Sequence, residues 1–369
     1  MIKTKNKLRI HVIGIPRNPS TPEITMDPYA MVSYHVTSEL HKKGHEVHYY
    51  GLPQSSVKCT TKWECADINH HKKYNVSIEE AKTKKTHWGG GQGEGDMLFY
   101  SKAADLVFNN YKANDIILVM WSLQFAELHA RFAKSDIPIK IVDAHIGHHW
   151  PSATTHYHVY ASHANRHFCY GMHNEQFESN YWHDATIYPM ASVIGDFEYK
   201  EKKKDYFLFM ARLNKTKGLG VFLQLASHFP EKKFILAGQG NHDFYIPPNV
   251  KEVGLLNPIQ RKEYLADAKA VISPSFYPEP FGLTAVEAGL SGTPLICTDH
   301  GGYTETIKDG HNGFRCSYFS DFIDAINNIE NIKAKDCKEY AYSFSNEPLT
   351  NEWEKYLQRV NKKSWYDLD

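Results

Sequence analysis

Short apolar runs alternate with longer amphipathic stretches along the first half of the chain. In chain order, these runs predict a strand at Leu8–Ile15, a helix at Tyr29–Lys43, and strands at Val47–Tyr50, Ile116–Trp121 and Ile139–Ala144. The helix is expected to end at Gly44, because glycine is the usual residue after a helix. Residues 52–95 are polar, and we interpret them as an insertion rather than as a core element.

The same alternation restarts after a charged segment, EYKEKKKD, at residues 198–205. Its composition is that of an interdomain linker. The elements predicted beyond it are a strand at Tyr206–Met210, a helix at Gly218–His228, a strand at Phe234–Ala237, a helix at Arg261–Asp267, a strand at Ala270–Ser273, a helix at Leu283–Leu290 and a strand at Pro294–Cys297. A last helical stretch, Thr350–Lys362, has no strand to pair with.

Strands that alternate with helices are typical of a parallel sheet covered on both faces. The pattern therefore predicts an α/β protein with two doubly wound, Rossmann-like domains facing a central cleft. At 369 residues the chain exceeds the usual size of one core. We expect the first domain at residues 1–198, the second at 199–348, and a final helix at 349–369 that packs back on the first domain. Ligands of such sheets bind at the carboxyl ends of the strands.

Charge and cysteine content narrow the class of protein. Lys+Arg and Asp+Glu both number 42, so no overall basic field would attract nucleic acid or anionic lipid, although a local patch stays open. The 6 cysteines are too sparse for a disulfide scaffold, which favours a reducing cytoplasmic location. The first apolar run contains Arg9 and His11 and stops at Pro16, so it predicts a strand rather than a signal peptide or membrane span.

Two cations follow the first strand of the second half, in the stretch FLFMARLNKTKG. Arg212 comes just after the predicted strand and Lys217 just before the next helix, so both are expected to project from a strand-to-helix loop. A planar guanidinium and a compact ammonium together suit the oxygens of a diphosphate. The alternative, taken from this segment alone, is a pair of solvated surface cations.

The segment PEPFGLTAVEAG, residues 278–289, carries two carboxylates within otherwise apolar sequence. The flanking pattern puts Glu279 in a loop after a strand and Glu287 about one turn inside a helix. The backbone N–H groups at the start of that helix would make an anion site. They belong to Phe281, Gly282, Leu283 and Thr284. Carboxylates beside an anion site could accept hydrogen bonds from sugar hydroxyls, whereas two surface glutamates placed by chance are the alternative.

Glycines recur at two other places. Gly238, in ILAGQG, ends a predicted strand and allows close backbone approach, either by a ligand or by the turn of the sheet itself. The stretch WGGGQGEGD, residues 88–96, has no strand leading into it, so it does not fit the dinucleotide-binding fingerprint. We interpret it as a mobile loop beside the cleft.

Together these motifs resemble the donor half of the retaining glycosyltransferases of family 4, which have the GT-B fold and an E-x7-E motif. The similarity extends from about Asp205 to Phe314 and includes GTPLICTDHGGYTETIKDGHNGF. The first half is similar only in outline, through the loop at Gly14 and the turn KKGHEVHYYG. One departure is IYPMA, residues 187–191, where family members often carry an asparagine.

The resemblance implies transfer of a hexose or pentose from a UDP- or GDP-linked sugar to a hydroxyl acceptor, with retained anomeric configuration and without a metal ion. It assigns Glu279 to the transferred sugar, Glu287 to the ribose, and Arg212 and Lys217 to the leaving diphosphate, where charge develops in the transition state. The second domain would bind the donor and the first the acceptor. The other donor-binding positions are Gly14, Gly238, Leu255, Phe281, Gly282, Leu283 and Thr284.

Histidines are concentrated in the first half of the chain, which holds the stretch DAHIGHHW after a predicted strand. His145 in that stretch is our candidate to bind a donor hydroxyl or to assist the acceptor. Metal binding is a rival for these histidines, but the family resemblance argues against it. Cys59 and Cys65, with His70 and His71 beyond them, are another candidate, but their spacing matches no established zinc pattern. We therefore expect no metal and no cofactor; the nucleotide sugar is the donor substrate.

No motif identifies the acceptor or the oligomeric state. A glycan or a lipid-linked sugar, the latter with peripheral membrane contact, is the default for the family. A second hypothesis is a hydroxymethylated base in phage DNA, although the balanced charge weighs against DNA. Two hypotheses about another class of protein stay open: a nucleotide-sugar-binding protein without turnover, and a dehydrogenase. The dehydrogenase would need a glycine fingerprint where HVIGIPRNP stands after the first strand.

Overall fold

A computed structural model describes residues 7–24, 27–67, 69–70, 93–121, 125–133, 135, 137–147, 152, 155, 157–172, 183–190 and 196–362. The chain divides into two compact units. The first comprises Met1–Ala161, Arg166–Ala191 and Asn346–Asp369, and the second comprises Ser162–Asn165 and Ser192–Ser345. The boundaries expected from the sequence were residues 198 and 348, whereas the units divide after residues 191 and 345.

The first unit is built on a parallel sheet. Its strands are β1 (Arg9–Ile13), β2 (Glu46–Gly51), β3 (Thr61–Glu64), β4 (Ile116–Val119), β5 (Ile141–Ile146), β6 (Tyr157–Tyr160) and β7 (Ala185–Thr186). Within the described residues they lie in the order β3-β2-β1-β4-β5-β6-β7, all parallel. Its helices are α1 (Pro28–Lys42), α2 (Glu94–Asn110), α3 (Phe125–Phe132), α4 (His163–Met172), whose residues before Arg166 belong to the second unit, and α11 (Asn346–Asn361).

The strands predicted in this half are all present, because the central strands of a parallel sheet are covered on both faces and therefore appear as continuous apolar runs. The interpretation of residues 52–95 as an insertion is wrong at two places. Thr61–Glu64 forms the edge strand β3, in which half-buried and exposed residues alternate, and α2 begins at Glu94. Alternation over only four residues was too short to recognise in the sequence.

The second unit repeats this architecture. Its strands are β8 (Phe207–Met210), β9 (Phe234–Ala237), β10 (Val250–Gly254), β11 (Ala270–Ser273), β12 (Leu295–Thr298) and β13 (Gly313–Cys316). They are parallel and lie in the order β10-β9-β8-β11-β12-β13. Its helices are α5 (Leu219–His228), α6 (Pro258–Asp267), α7 (Leu283–Leu290), α8 (Tyr303–Thr306), α9 (Phe319–Asn327) and α10 (Ala334–Tyr342).

Two apolar cores cover the two faces of the second sheet. One includes Phe222 of α5 and Phe322 of α9, packed on alternate residues of the strands. The other includes Leu265 of α6 and Ala285 of α7. Helices α6 and α7 therefore lie on the same face, so their side chains can meet near the carboxyl ends of the strands.

The segment at residues 198–205, predicted as a linker, packs on the second unit. The Lys203 ammonium donates hydrogen bonds to the carbonyl oxygens of Ala266 and Ser291, both at 2.9 Å, and to Thr293 Oγ1 at 2.7 Å. Burial lowers the pKa of Lys203 to about 8. Asp267 pairs with Lys200 at 2.8 Å. The lysines of this segment therefore anchor it to the carboxyl ends of helices α6 and α7 rather than extending it as a free connection.

Helix α1 gives a testable property of the first unit. His35 is 7% exposed, and burial lowers the pKa of its imidazole from 6.5 to about 4. The folded state therefore binds fewer protons than the unfolded state between these pH values, and stability should fall as the pH falls through that window. We expect a loss of about 3 kcal/mol in the free energy of unfolding of this unit between pH 7 and pH 4 from His35 alone.

Chemical denaturation of wild type and His35→Phe at a series of pH values would measure this effect. The replacement keeps an aromatic ring but has no titrating group, so its stability should vary less with pH. Equal pH dependence for the two proteins would contradict the assignment of this destabilisation to His35.

Candidate active site

The second sheet has a topological switch point between β8 and β11. From β8 the chain continues to β9 and β10 on one side, and then returns to β11 on the other. Ligands of open α/β sheets bind outside the carboxyl ends of the strands at such a point. The loops that leave β8 and β11 there are residues 211–218 and 274–282, which contain Arg212, Lys217 and Glu279.

Backbone contacts join these two loops. The Thr216 carbonyl oxygen accepts hydrogen bonds from the amides of Phe276, at 2.9 Å, and Tyr277, at 3.0 Å. Gly218 has a φ of 75°, and a Cβ there would lie 1.8 Å from the carbonyl oxygen of Pro274. Only glycine therefore allows the two loops to approach this closely.

The joined loops hold Lys217 against Glu279. The Lys217 ammonium forms an ion pair with Glu279 Oε1, which also accepts a hydrogen bond from Ser275 Oγ at 3.0 Å. The ammonium also lies 4.7 Å from the centroid of the Tyr277 ring, a cation–π contact. Both charged side chains are mostly buried, with 13% and 14% of their surfaces exposed. Lys217, Glu279 and Tyr277 thus form one fixed group of a cation, a carboxylate and an aromatic ring.

Glu287 lies near this group in the chain but has a different partner. It is the fifth residue of α7 and is 2% exposed. Its Oε2 pairs with Nη2 of Arg261, the fourth residue of α6. The buried Nε of Arg261 makes no hydrogen bond within the described part of the chain. The sequence offered no signal for this residue, since Arg261 and Lys262 are adjacent cations and only the fold shows which one meets Glu287.

The start of α7 is fixed by glycines from two segments. Gly282 precedes the helix with a φ of 88°, and a Cβ on it would lie 2.5 Å from the Tyr303 ring. Gly302 donates from its amide to the Glu279 carbonyl oxygen at 2.7 Å, and a Cβ on it would lie 2.4 Å from Phe281 Cα. The first amides of a helix have no intrahelical acceptor. Gly282, Leu283 and Thr284, predicted to supply an anion site, are partly exposed, whereas Phe281 is buried.

The remaining predicted site residues of the second unit differ in their exposure and in their contacts. Arg212 is exposed and makes no ion pair or side-chain hydrogen bond with any other described residue. Leu255 is half-buried after Gly254, which has a φ of 72°. A Cβ on Gly238 would lie 1.9 Å from the carbonyl oxygen of Ala211. Packing of the turn after β9 therefore requires a glycine at this position.

Two predicted site residues lie in the first unit. A Cβ on Gly14 would lie 2.2 Å from the Tyr49 hydroxyl oxygen, so packing against Tyr49 requires this glycine. His145 is 5% exposed on β5, with its ring 5.1 Å from the ring of Tyr29 in an edge-to-face contact. The Gly-rich stretch at 88–96 lies outside the described residues as far as residue 92.

A buried cation at the carboxyl edge of the first sheet was missed. Arg17, after β1, pairs with Asp96 at 2.8 Å and lies 5.1 Å from the centroid of the Trp121 ring, which follows β4. These residues flank the switch point of the first sheet, between β1 and β4. Nothing in the pattern IPRNP distinguishes Arg17 from a surface arginine.

Several histidines of the first unit have structural partners. His158 Nδ1 contacts Asp184 Oδ1 at 2.7 Å, and its Nε2 donates to the Ser152 carbonyl oxygen at 2.8 Å. Burial opposes the charged imidazole, but the contacts with Asp184 outweigh it and raise the pKa of His158. His11 lies between Asp115 and Tyr50, at 2.9 and 2.8 Å. These side chains fill polar positions inside the sheet layers.

The described residues contain no group of three or more His, Cys, Asp or Glu side chains arranged to hold a metal ion. A helix that combines the length and apolar character needed to span a membrane is also absent from that part of the chain.

The second unit matches a known family. Residues 196–344 match the family model described as Glycosyl transferases group 1. Glycogen synthase of Mycobacterium tuberculosis is 31% identical over 145 residues, which make up 36% of this chain and 34% of that protein. The chain thus spans about a third of the length of the first curated relatives it matches.

Solved structures match over nearly the whole chain. AviGT4, described as a glycosyltransferase involved in avilamycin A biosynthesis, has a TM-score of 0.66 at 17% identity, covering 97% of this chain and 99% of that one. Sucrose-phosphate synthase of Thermosynechococcus elongatus has a TM-score of 0.69 at 13% identity, with coverages of 96% and 99%. The prediction of two Rossmann-like domains of the GT-B type is confirmed, and the family match supports a glycosyltransferase.

The join between the two loops can be tested with paired glycine substitutions. Gly218→Ala and Gly310→Ala both place a side chain at a φ near 70°, at 75° and 70°, but Gly310 has no atom within 4 Å of its added Cβ. The left-handed backbone costs about 1–2 kcal/mol in both variants. We expect Gly218→Ala to lose clearly more stability in thermal unfolding, because the loops must separate. Equal losses would contradict the close approach.

Proposed function

We propose that the chain is a retaining glycosyltransferase of family 4, in which Glu279 and Glu287 are the two acids of the E-x7-E motif. The observation that carries the proposal is the fixed group of Lys217, Glu279 and Tyr277 at the switch point of the second sheet. A site for a nucleotide-diphospho-sugar needs both an anion-binding part and hydroxyl acceptors, and this group offers one of each.

The diphosphate would be bound by Lys217, by Arg212 and by the first amides of α7. Arg212 follows β8 by two residues and is exposed, so its planar guanidinium is available to phosphate oxygens. Helix starts favour anions through their unpaired N–H groups and the helix dipole. Negative charge grows on the diphosphate as the sugar leaves, so fixed cations stabilise the transition state more than the ground state.

The ion pair between Lys217 and Glu279 would have one role before the donor binds and another once it is bound. Without a donor, each side chain neutralises the other at a mostly buried position. A diphosphate would give the ammonium a second anion, and the carboxylate would then accept hydrogen bonds from hydroxyls of the transferred sugar. Ser275 keeps the carboxylate in place through its hydrogen bond to Oε1. Gly238, Leu255 and Gly14 complete the donor positions in this proposal.

The acceptor side is assigned to the first unit, with His145 as the residue that assists the acceptor or a donor hydroxyl. A glycan or a lipid-linked sugar is the proposed acceptor, and the enzyme is proposed to act in the cytoplasm. No metal is required in this mechanism, because the cations and the amides of α7 would carry the charge of the leaving group. UDP- and GDP-linked sugars are the proposed donors.

Donor hydrolysis gives the direct test of this function. With a panel of UDP-, GDP- and ADP-sugars, we expect slow release of a nucleoside diphosphate from one donor, and faster release with the correct acceptor. Lys217→Ala, Arg212→Ala and Glu279→Gln should each lower kcat about 100-fold or more, as removal of a transition-state contact does. The matched control is Lys215→Ala, an exposed lysine of the same loop, which should retain activity.

Two results would contradict the assignment. Full turnover in the Lys217 and Glu279 variants would show that these residues do not form the donor site. Tight binding of a nucleotide sugar without release of a nucleoside diphosphate would favour a binding protein without turnover. Hydroxymethylated DNA included among the acceptors would reveal base modification.

Metal dependence has its own expected outcome. Activity should be unchanged after dialysis against EDTA, because protein cations take the place of a metal ion at the diphosphate. A loss that Mg²⁺ or Mn²⁺ restores would show that the leaving group needs a metal after all.

A further inference from the structure

The contact between Arg261 and Glu287 has no role in the donor site as assigned so far. Glu287 is 2% exposed, so its charge lies almost wholly out of water. A buried carboxylate without a cation is strongly destabilising, and Arg261 supplies that cation. The pair also joins α6 to α7, two helices on the same face of the sheet.

The geometry leaves one oxygen of Glu287 unused. Arg261 Nη2 contacts Oε2, and Oε1 makes no hydrogen bond within the described part of the chain. A carboxylate oxygen has lone pairs for hydroxyl or amide donors. Arg261 therefore holds the carboxylate of Glu287 through Oε2, while Oε1 of the same carboxylate can still accept a hydrogen bond.

Arg261 is itself held in place by the start of α6. Asn257 and Gln260 form a capping box, with Gln260 N donating to Asn257 Oδ1 at 2.9 Å and Asn257 N donating to Gln260 Oε1 at 3.2 Å. Pro258 is the first residue of the helix, where its fixed φ fits. The first turn that carries Arg261 is thus rigid, and its side chain is mostly buried, with 16% exposed.

We propose that Arg261 is a positioning residue that fixes Glu287 so that Oε1 accepts a hydrogen bond from a ribose hydroxyl of the donor. The inference rests on the proposed function, which already assigns Glu287 to the ribose. What it adds is the role of Arg261: the preference of the site for ribonucleotides over deoxyribonucleotides should depend on this residue. An oxygen held in one place rejects a ligand that lacks the matching hydroxyl, because the buried acceptor is then left unpaired.

A purely structural tie between α6 and α7 is the alternative. Such a tie would change the stability of the protein but would change the affinities for ribose and deoxyribose ligands in the same proportion. The ratio of the two affinities therefore separates the hypotheses, and it can be measured without catalysis.

Isothermal titration calorimetry supplies the ratio. The probes are UDP, GDP and ADP, each compared with its 2′-deoxy and 3′-deoxy form, and the diphosphate that binds wild type most tightly is used for all variants. We expect wild type to prefer the ribose form by about tenfold or more over at least one deoxy form, as for a hydrogen bond to a charged group. Glu287→Gln should lower that preference.

The variants of Arg261 carry the test. Arg261→Lys keeps the positive charge but lacks the planar fork, so we expect it to fold and to bind diphosphates with the ribose preference reduced to about twofold or less. Arg261→Met should remove the preference if it folds. Lys262→Met is the matched control, since it removes the neighbouring cation of the same helix, which lies over Phe197 rather than at Glu287, and the preference should stay as in wild type.

The outcomes separate this inference from the function beneath it. Absence of binding by any of the three diphosphates to wild type would overturn the proposed donor site. Binding with an unchanged ribose preference in Arg261→Lys, together with a lower Tm, would overturn the positioning role and leave only the tie between helices. Loss of preference in Lys262→Met as well would also count against a specific role of Arg261.

Discussion

The carbonyl oxygen of Thr216 accepts hydrogen bonds from two successive amides, those of Phe276 and Tyr277, and the candidate donor site depends on this join. It brings together side chains that are 62 positions apart in the sequence, Lys217 and Glu279. Gly218 makes the approach sterically allowed. Because the contact is between backbones, the position of the ion pair is set by the fold of two loops rather than by the charges themselves.

Both acids of the candidate site are neutralised by a cation from another segment of the chain. Glu279 and Glu287 are each paired with a cation from a different loop or helix, Lys217 and Arg261 respectively. A chain can keep carboxylates at such depth only if each has a counter-charge, since desolvation of an unpaired acid is unfavourable. The acids are therefore fixed before any ligand arrives, and a ligand does not need to order them.

The sequence predicted the interior of the fold better than its edges, and the reason is physical. Phe234–Ala237 and Ala270–Ser273 were predicted at their observed bounds because buried parallel strands are continuous apolar runs. Five strands were missed. Four of them, β3, β7, β10 and β13, are edge strands in the order of the described sheets, and their exposed or half-buried residues obscure the pattern. The fifth, β6, is an interior strand, and its sequence YHVY is not a continuous apolar run. Arg261 was missed because nothing in the sequence distinguishes it from the adjacent cation Lys262, and only the fold brings it to Glu287.

Glycines that follow strands show a second limit on what the sequence can predict about the site. Gly14 and Gly238 both follow strands, where a glycine can serve a ligand or the packing of the protein itself. In the structure each has a close neighbour, Tyr49 for Gly14 and the Ala211 backbone for Gly238, so packing alone requires both residues. Gly218 has such a neighbour too, yet its approach to Pro274 is what positions Lys217. A glycine that packing requires can therefore also position a functional side chain. A charged residue next to such a glycine, as Lys217 is next to Gly218, indicates that the close backbone contact shapes the site.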